Sequence, residues 1–341
     1  MQLFVRISIH IFYILPIFII SNLVLCQENA EPPPAVTKVG TSCCNWLKIE
    51  SGTRGIAMGG SQVSSGRGLS GAYYNPSSIA FIKGSEVYYS KSKYLADISH
   101  NTLGYGVQLT PADYFGLHLF YLDSGEMDVT TVPSPDGTGE SFQVIDLSLR
   151  LMYAKQLTDR LRIGGAIKYI HEQIYTTQTQ SFMFDMGSNF ETGVFDILLG
   201  MSVSNFGPDV RFTGTGLNKE VADTTDVSGQ MAKITQKFSA PLIFRLGMHK
   251  DILGRSEENV HHLIVSLDAI NPIDNDVYGG IGVEYSWQEI AFIRAGTHLN
   301  HDTADLSLGG GLKWNIFAVD YAYVNYGILN ETHQFGISLE F

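Results

Sequence analysis

Apolar and polar side chains alternate along most of the chain from Glu86 to Phe341. The last predicted strand shows the pattern clearly, with Phe335, Ile337, Leu339 and Phe341 alternating with Gly336, Ser338 and Glu340. A strand points successive side chains to opposite faces, so a membrane barrel turns apolar residues to lipid and polar or small residues inward. The alternation therefore predicts an all-β fold, a transmembrane antiparallel β-barrel.

The alternating segments predict about 14 strands. Their approximate spans are 86–94, 99–109, 114–124, 142–155, 159–174, 180–190, 194–206, 240–251, 258–269, 276–286, 289–299, 304–313, 316–325 and 333–341. Outer-membrane barrels have short periplasmic turns and long extracellular loops. If the first strand runs outward, the two longest connections, 125–141 and 207–239, both lie outside.

Alternation alone would also fit a soluble β-sandwich. Composition favours the membrane, because only 16% of the residues are charged and 35 are glycine, whereas soluble domains carry about 25% charged residues. The net charge of −12 argues against nucleic acid as a partner, since binding it needs clustered Lys and Arg.

Residues 1–26 have the features of a secretory signal peptide. Arg6 precedes an apolar stretch, and Val24-Leu25-Cys26 forms a plausible cleavage site before Gln27. A lipoprotein signal that uses Cys26 is the alternative. Beyond this segment no run of 18 apolar residues occurs, which argues against a helical membrane protein. Export of the chain then leads to the cell outer membrane of a Gram-negative-type bacterium.

Two further segments precede the predicted barrel, which spans 84–341. Residues 27–41 contain three consecutive prolines and predict an extended N-terminal arm. Residues 42–83 are rich in Gly, Ser and Asn, and we interpret them as a plug inside the barrel. Cys43 and Cys44 are adjacent and would pair with each other only under strain, so an intermolecular disulfide or two idle thiols stay open.

The plug segment resembles the N-terminal signature of the PorV/PorQ family of outer-membrane proteins, which is related to the FadL-type fatty acid transporters. The resemblance lies in an R-x-x-AMGG run followed by YxNP, and continues through YLADISHNTLGYGVQL and FYLDSGEMDVTT. The matching residues are Arg54, Ala57, Met58, Gly59, Gly60, Tyr73, Tyr74, Asn75, Pro76 and Ala80. The Cys43-Cys44 pair and Ser77-Ser78 depart from the family pattern.

The resemblance implies a role in type IX protein secretion. Family members bind the C-terminal signal domain of exported cargo and shuttle it from the translocon to the attachment machinery. The alternative is a FadL-like channel for hydrophobic small molecules, which would need an apolar pocket near the plug and a lateral opening. A purely structural outer-membrane protein is the third possibility. In each case outer-membrane lipid surrounds the barrel.

The sequence shows no motif of a catalytic, metal or cofactor site. His298 and His301, with Asp302 and Asp305 nearby, are the only weak metal candidate. Inward-facing charges are a second group of interest, because polar contacts must hold a plug inside a wide barrel. We expect them to form a lumen charge network with each other and with the plug, through Arg54 and Asn75: Asp146, Arg150, Arg162, Lys168, Arg245, Glu284 and Asp320, with Asp268 and Lys313 beside them.

Overall fold

The structure, a computed structural model, describes residues 38–222, 228–254 and 259–341. The predicted signal peptide and residues 27–37 of the predicted arm lie outside the described residues. Among the described residues, no helix has the length and hydropathy needed to cross a membrane.

Fourteen antiparallel strands form a closed barrel, which confirms the predicted fold. They are β1 Ser85–Lys93, β2 Ser99–Gln108, β3 Asp113–Asp123, β4 Val144–Gln156, β5 Leu161–Ile174, β6 Thr177–Glu191, β7 Ile197–Phe206, β8 Ile243–Leu253, β9 His261–Pro272, β10 Tyr278–Trp287, β11 Ala291–Leu299, β12 Leu306–Trp314, β13 Phe317–Asn325 and β14 Glu331–Glu340. Each strand pairs with its neighbours in the sequence, and β1 pairs with β14 from Glu86↔Glu340 to Lys93↔His333. The closed sheet has no free edge.

The alternation corresponds to the two faces of the wall. On β14, Phe335 and Ile337 are exposed on the outside, whereas Gln334 and Gly336 are buried inside. The same division runs round the barrel and produces a continuous outer band of exposed apolar side chains. An apolar band on a closed barrel is the property that allows strands to cross a membrane. The chain is therefore an outer-membrane barrel.

The two ends of the barrel differ in their connections. Long connections follow β3 and β7 at the end that we call the loop end, and short turns join the strands at the opposite, turn end. By the rule for outer-membrane barrels, the loop end is extracellular. Short strands lie in or beside the long connections: Met127–Asp128, Ser141–Phe142, Thr213–Gly214, Asn218–Ala222 and Ser228–Ala232.

The N-terminal segment, Lys38–Lys83, lies before β1 and runs along the lumen. It contains the helix α1 Thr53–Ala57 and three 3₁₀ turns, Asn45–Lys48, Leu69–Gly71 and Pro76–Phe81. It begins at the loop end, where the Cys43 N–H donates to Ser239 in the loop after β7. It finishes at the turn end, where the Ser85 N–H donates to Phe341. Further 3₁₀ turns lie in loop-end connections, at Leu95–Asp97, Thr215–Leu217 and Gly327–Leu329.

Candidate lumen site

Glycines on the inner wall let the backbone of the N-terminal segment approach the strands closely. A Cβ added to Gly296 on β11 would lie 2.1 Å from the Met58 carbonyl carbon, and one on Gly280 of β10 would lie 2.3 Å from the Gly59 oxygen. Gly59 itself has φ +60 and meets the Thr297 backbone. Gly60, with φ +73, lies against the Glu50 carboxylate instead. No side chain fits in these contacts, so the AMGG run is fixed against β10 and β11 by shape.

Asn75 and Pro76 contact the opposite side of the wall. Asn75 Nδ2 donates to the carbonyls of Val63 (2.8 Å) and Ser188 (3.0 Å), while its Oδ1 accepts from the Ser77 N–H. The side chain therefore caps the Pro76–Phe81 turn and joins it to β6. A Cβ on Gly187 would lie 2.0 Å from Asn75 Oδ1, and one on Gly164 would lie 2.6 Å from the Pro76 carbonyl carbon.

Arg54 is the main ionic contact between the segment and the wall. Its Nε and Nη2 both donate to the Glu284 carboxylate at 2.8 Å, and its Nη1 donates to the Ser65 carbonyl. Glu284 also accepts from Arg294, which reaches on to Asp320. This bidentate arrangement is the stronger form of Arg–carboxylate pairing.

The other predicted lumen charges all point inward but fall into separate groups. Arg150 and Lys168 both pair with Asp185, at 3.2 and 3.1 Å, and Arg150 also donates to the Ala72 carbonyl of the segment. Lys168 and Asp185 both bond to Asn205, a residue with φ +64 where the β6–β7 register shifts. These contacts join the segment to β4, β5 and β6.

Four further wall charges have partners of different kinds. Arg245 donates to Ser204 and to the Tyr73 hydroxyl of the segment. Asp268 accepts from the Val63 N–H at 2.8 Å. Arg162 pairs with Glu191 and Lys313 with Glu340, both at the turn end.

Asp146 is buried on β4, and its Oδ1 has no hydrogen-bond partner within the described residues. The predicted network is thus placed as several local contacts rather than one connected chain of charges.

Glu50 lies near the loop end, within reach of wall histidines. Its Oε1 is 3.5 Å from His298 Nε2, and its Oε2 accepts from the Tyr74 hydroxyl. Burial alone would raise the pKa of Glu50, but His298, Arg245 and His301 outweigh burial and hold the pKa below its ordinary value. Within the described ranges, no group of three or more His, Cys, Asp or Glu side chains is arranged to hold a metal ion.

One part of the lumen at the loop end is apolar, unlike the charged middle of the lumen. Four inward-facing wall residues there are apolar and buried: Phe120, Leu122, Ile170 and Met183. Cys43, Cys44, Trp46 and Leu47 of the segment pack against them, together with Val210 and Ala240 of the loop after β7. We call this group the mouth cluster.

Trp46 is the central side chain of the mouth cluster. Its ring stacks on Phe120 with centroids 5.8 Å apart, and its Nε1 donates to Glu172. The space left beside Trp46 and Leu47 is about 10 Å³, which is roughly the volume of one water probe. The segment's own side chains therefore fill the apolar mouth.

A polar cavity lies at the opposite end of the segment. It has a volume of about 430 Å³ and lies between the segment and residues of β1 and β11–β14. Its lining includes charges of both signs, among them Arg67, Glu86, Lys313 and Glu340. The two ends of the lumen thus differ in chemistry as well as in filling.

Comparison with known proteins extends these observations. No protein-family model and no curated protein matches the sequence. Solved structures do match. The fold is shared with FadL-type outer-membrane channels.

Three of these structures give the extent of the likeness. The toluene transporter TodX of Pseudomonas putida is 12% identical, with a TM-score of 0.57 over 85% of this chain and 96% of that one. The monoaromatic hydrocarbon channel CymD is 12% identical, with a TM-score of 0.59 over 86% and 98%. A Pseudomonas aeruginosa FadL homologue is 12% identical, with a TM-score of 0.51 over 84% and 97%. The first is described as a transporter, the second as a channel and the third as a homologue of FadL.

Sequence reasoning missed some of the residues that line the lumen. Asp185 and Arg294 are inward partners of predicted charges, and strand parity alone would have included them. The mouth cluster carries a fainter signal, since Phe120, Leu122, Ile170 and Met183 occupy inward positions where polar or small residues are expected. Cys43 and Cys44 are free and buried within it, and neither forms a disulfide there.

Proposed function

We propose that this protein is an outer-membrane channel for hydrophobic small molecules, with the N-terminal segment acting as its plug. The observation that carries the proposal is the mouth cluster. An apolar site at the extracellular end of the lumen is occupied by Trp46 and Leu47, side chains similar in size and polarity to an aromatic hydrocarbon. The shared fold of hydrocarbon channels supports the same proposal.

In this proposal, the substrate replaces the segment's own side chains. A hydrophobic molecule that enters from the loop end competes with Trp46 and Leu47 for the surface formed by Phe120, Leu122 and Ile170. Burial of apolar area gives the substrate its affinity, at about 25 cal/mol per Å². Displacement of the 3₁₀ turn Asn45–Lys48 then opens the path towards the polar cavity at the turn end.

The proposed plug is held elsewhere by contacts that need not break. Arg54 remains on Glu284 and the AMGG run remains in its glycine-lined groove while the loop end moves. The barrel therefore stays sealed to large solutes when the mouth opens.

Uptake of a hydrophobic compound tests this function. Cells with and without the protein are given labelled toluene or a long-chain fatty acid, and initial uptake rates are compared. We expect the protein to raise uptake of at least one of these compounds, and Leu47→Trp, which fills the mouth further, to lower it. Equal uptake with and without the protein across both compound classes would overturn the proposal.

The type IX secretion role implied by the PorV resemblance stays a prediction, and one observation favours it as the second candidate. Large apolar side chains are exposed on loop-end connections, including Val132 at 99%, Ile328 at 96% and Ile234 at 80%. Such residues could contact the C-terminal domain of a cargo protein. Co-purification separates the two functions: cargo or translocon subunits with the protein would favour secretion, and small hydrophobic molecules in the lumen would favour the channel.

A further inference from the structure

The outer face of the barrel carries two unpaired lysines in its loop-end half. Lys91 and Lys93 alternate with inward-facing Ser90 and Ser92 on β1, so both point outward, and both are exposed. On a strand, residues two apart lie about 6.6 Å from each other. Neither lysine makes an ion pair or a hydrogen bond within the described residues. No other lysine or arginine of the fourteen barrel strands faces outward in this half of the barrel.

An outward lysine at the turn end shows one way in which such a charge is accommodated. Lys155 on β4 pairs with Asp113 on β3 at 3.0 Å, and Asp113 also accepts from the Tyr153 hydroxyl. That charge is neutralised within the protein. Lys91 and Lys93 form no such pair within the described residues, so both amines are available to a counter-charge from outside the chain.

Neighbouring strands add hydrogen-bonding groups around the two lysines. His333 on β14 lies opposite Lys93, and Asn101 on β2 lies opposite Lys91. The His333 ring is oriented by the Tyr321 hydroxyl, 2.8 Å from its Nδ1. We call these residues, with the two lysines, the β1–β14 patch.

Three carboxylates lie in the same region, Asp97 in the connection after β1, Asp123 and Glu331, but none of them pairs with either lysine within the described residues. Asp123 lies two strands away from Lys93, and its Oδ1 accepts from the Gly125 N–H. Glu331 lies at the loop-end start of β14, opposite Asn325 and two residues before His333. The charge of the patch itself is positive.

Exposed apolar side chains continue directly below the patch towards the middle of the membrane. They are Tyr89 on β1, Leu103 and Tyr105 on β2, and Phe335 and Ile337 on β14. A molecule with an anionic head and hydrocarbon chains would match this arrangement, with its head at the lysines and its chains along the apolar surface.

We propose that the β1–β14 patch binds the phosphate groups of a phosphorylated lipid in the extracellular leaflet. A lysine turned towards hydrocarbon is costly unless its amine reaches the polar boundary or finds a counter-charge. A lipid phosphate supplies that counter-charge at the level where the lysine amines emerge. Basic residues at a membrane surface attract anionic lipids in the same way. The site is independent of the transport function, since it lies on the outer wall.

Lipid retention by the purified full chain tests this proposal. The protein is mixed in detergent with bis-phosphorylated lipid A, with the same lipid after dephosphorylation, or with phosphatidylethanolamine, and bound lipids are counted by native mass spectrometry. The test variant is Lys91→Gln/Lys93→Gln. The matched control, Lys155→Gln/Lys250→Gln, removes two outward lysines from the turn end. Heat-modifiability on gels confirms that each variant is folded.

We expect wild type and control to bind phosphorylated lipid A more tightly than either other lipid. The test variant should lose roughly tenfold or more of that affinity, because basic residues at a membrane surface add to the attraction of anionic lipids. Equal binding of phosphorylated and dephosphorylated lipid by the wild type would overturn the proposal. Equal losses in the two double variants would also overturn it, since any outward lysine would then serve.

Discussion

The N-terminal segment contacts the wall differently at its two ends. From Thr53 to Ile82 it lies against inner-wall glycines and is held by the Arg54–Glu284 pair and by Asn75. From Ser42 to Lys48 it is held by apolar packing, by Lys48–Asp274 and by Trp46–Glu172, and its backbone contacts a loop rather than the strands. The first part is fixed by shape and charge. In the second part, another apolar group can take the place of the apolar side chains that fill the mouth. We infer that the second part is the gate.

Removing the charge of Glu284 should have the largest effect on stability. Glu284→Gln leaves Arg54 without its carboxylate and Arg294 with only Asp320, and breaking a buried pair costs about 3–5 kcal/mol. The free energy of unfolding in lipid vesicles measures this loss. Lys155→Gln, which breaks the exposed Lys155–Asp113 pair, should cost far less, because exposed ion pairs contribute little to stability. Similar losses for both would remove the distinction between a buried anchor and a surface pair.

Two leucines of the segment compare its two parts directly. Leu69 packs with Ile79 and Ile82 in the anchored part, and Leu47 belongs to the mouth cluster. Leu69→Ala should lower barrel stability by about 2–5 kcal/mol. Leu47→Ala should leave the unfolding midpoint nearly unchanged and instead raise the reaction rate of Cys43 and Cys44 with a maleimide, because only the mouth loosens. An equal fall in barrel stability for both would mean that the segment is held as one unit.

Adjacent glycines on β5 test the role of the close backbone approach. A Cβ on inward-facing Gly164 would lie 2.5 Å from the Ser77 nitrogen, whereas the nearest neighbour of a Cβ on outward-facing Gly165 would be the Asp185 oxygen, at 3.8 Å. Gly164→Ala should cost about 1–3 kcal/mol by overpacking, and Gly165→Ala should be close to neutral. The unfolding free energies of the two variants decide the point. Two neutral substitutions would show that the segment tolerates displacement from the wall.

Acidification should produce the smallest change, confined to the gate. The folded pKa of Glu50 lies below its ordinary value of 4.5. The contact between Glu50 and His298 therefore stabilises the fold at pH values above the pKa that Glu50 has in the unfolded chain. This stabilisation disappears as the pH falls through the folded pKa of Glu50. Below about pH 4.5, acrylamide quenching of Trp46 should increase in a Trp287→Phe/Trp314→Phe background. Glu50→Gln, neutral at every pH, should show no such step, and a step that persists in this variant would exclude Glu50 as its cause.

The barrel could be predicted from the sequence because the alternation of apolar and polar residues indicates which face of each strand contacts lipid. All 14 strands were predicted, and their ends differ from the structure by only a few residues. The course of the N-terminal segment could not be predicted in the same way. It has no periodicity, and its position depends on glycines from distant strands, such as Gly187 and Gly296, whose relation to Asn75 and Met58 no local pattern records.

The mouth cluster was missed for a related reason. Strand parity predicts which side chains point inward but not which of them meet. Phe120, Ile170 and Met183 lie on three different strands, and only the closed fold brings them to Trp46. The resemblance of the AMGG and YxNP motifs concerned the anchored part of the segment, so it carried no information about the gate.

Thiol labelling during exposure to a hydrocarbon tests the gate most directly. Cys43 and Cys44 are both buried in the mouth cluster, so a reagent reaches them slowly while the mouth is closed. The neighbouring Cys43 thiol together with burial also raises the pKa of the Cys44 thiol, which slows its reaction further. We predict that toluene speeds their reaction with a maleimide roughly tenfold, equivalent to a shift of about 1.4 kcal/mol in the opening equilibrium. Ser78→Cys, placed in the anchored part of a Cys43→Ser/Cys44→Ser background, should stay protected. Unchanged labelling of Cys43 and Cys44 in saturating toluene, or equal acceleration at position 78, would contradict a gate confined to the mouth.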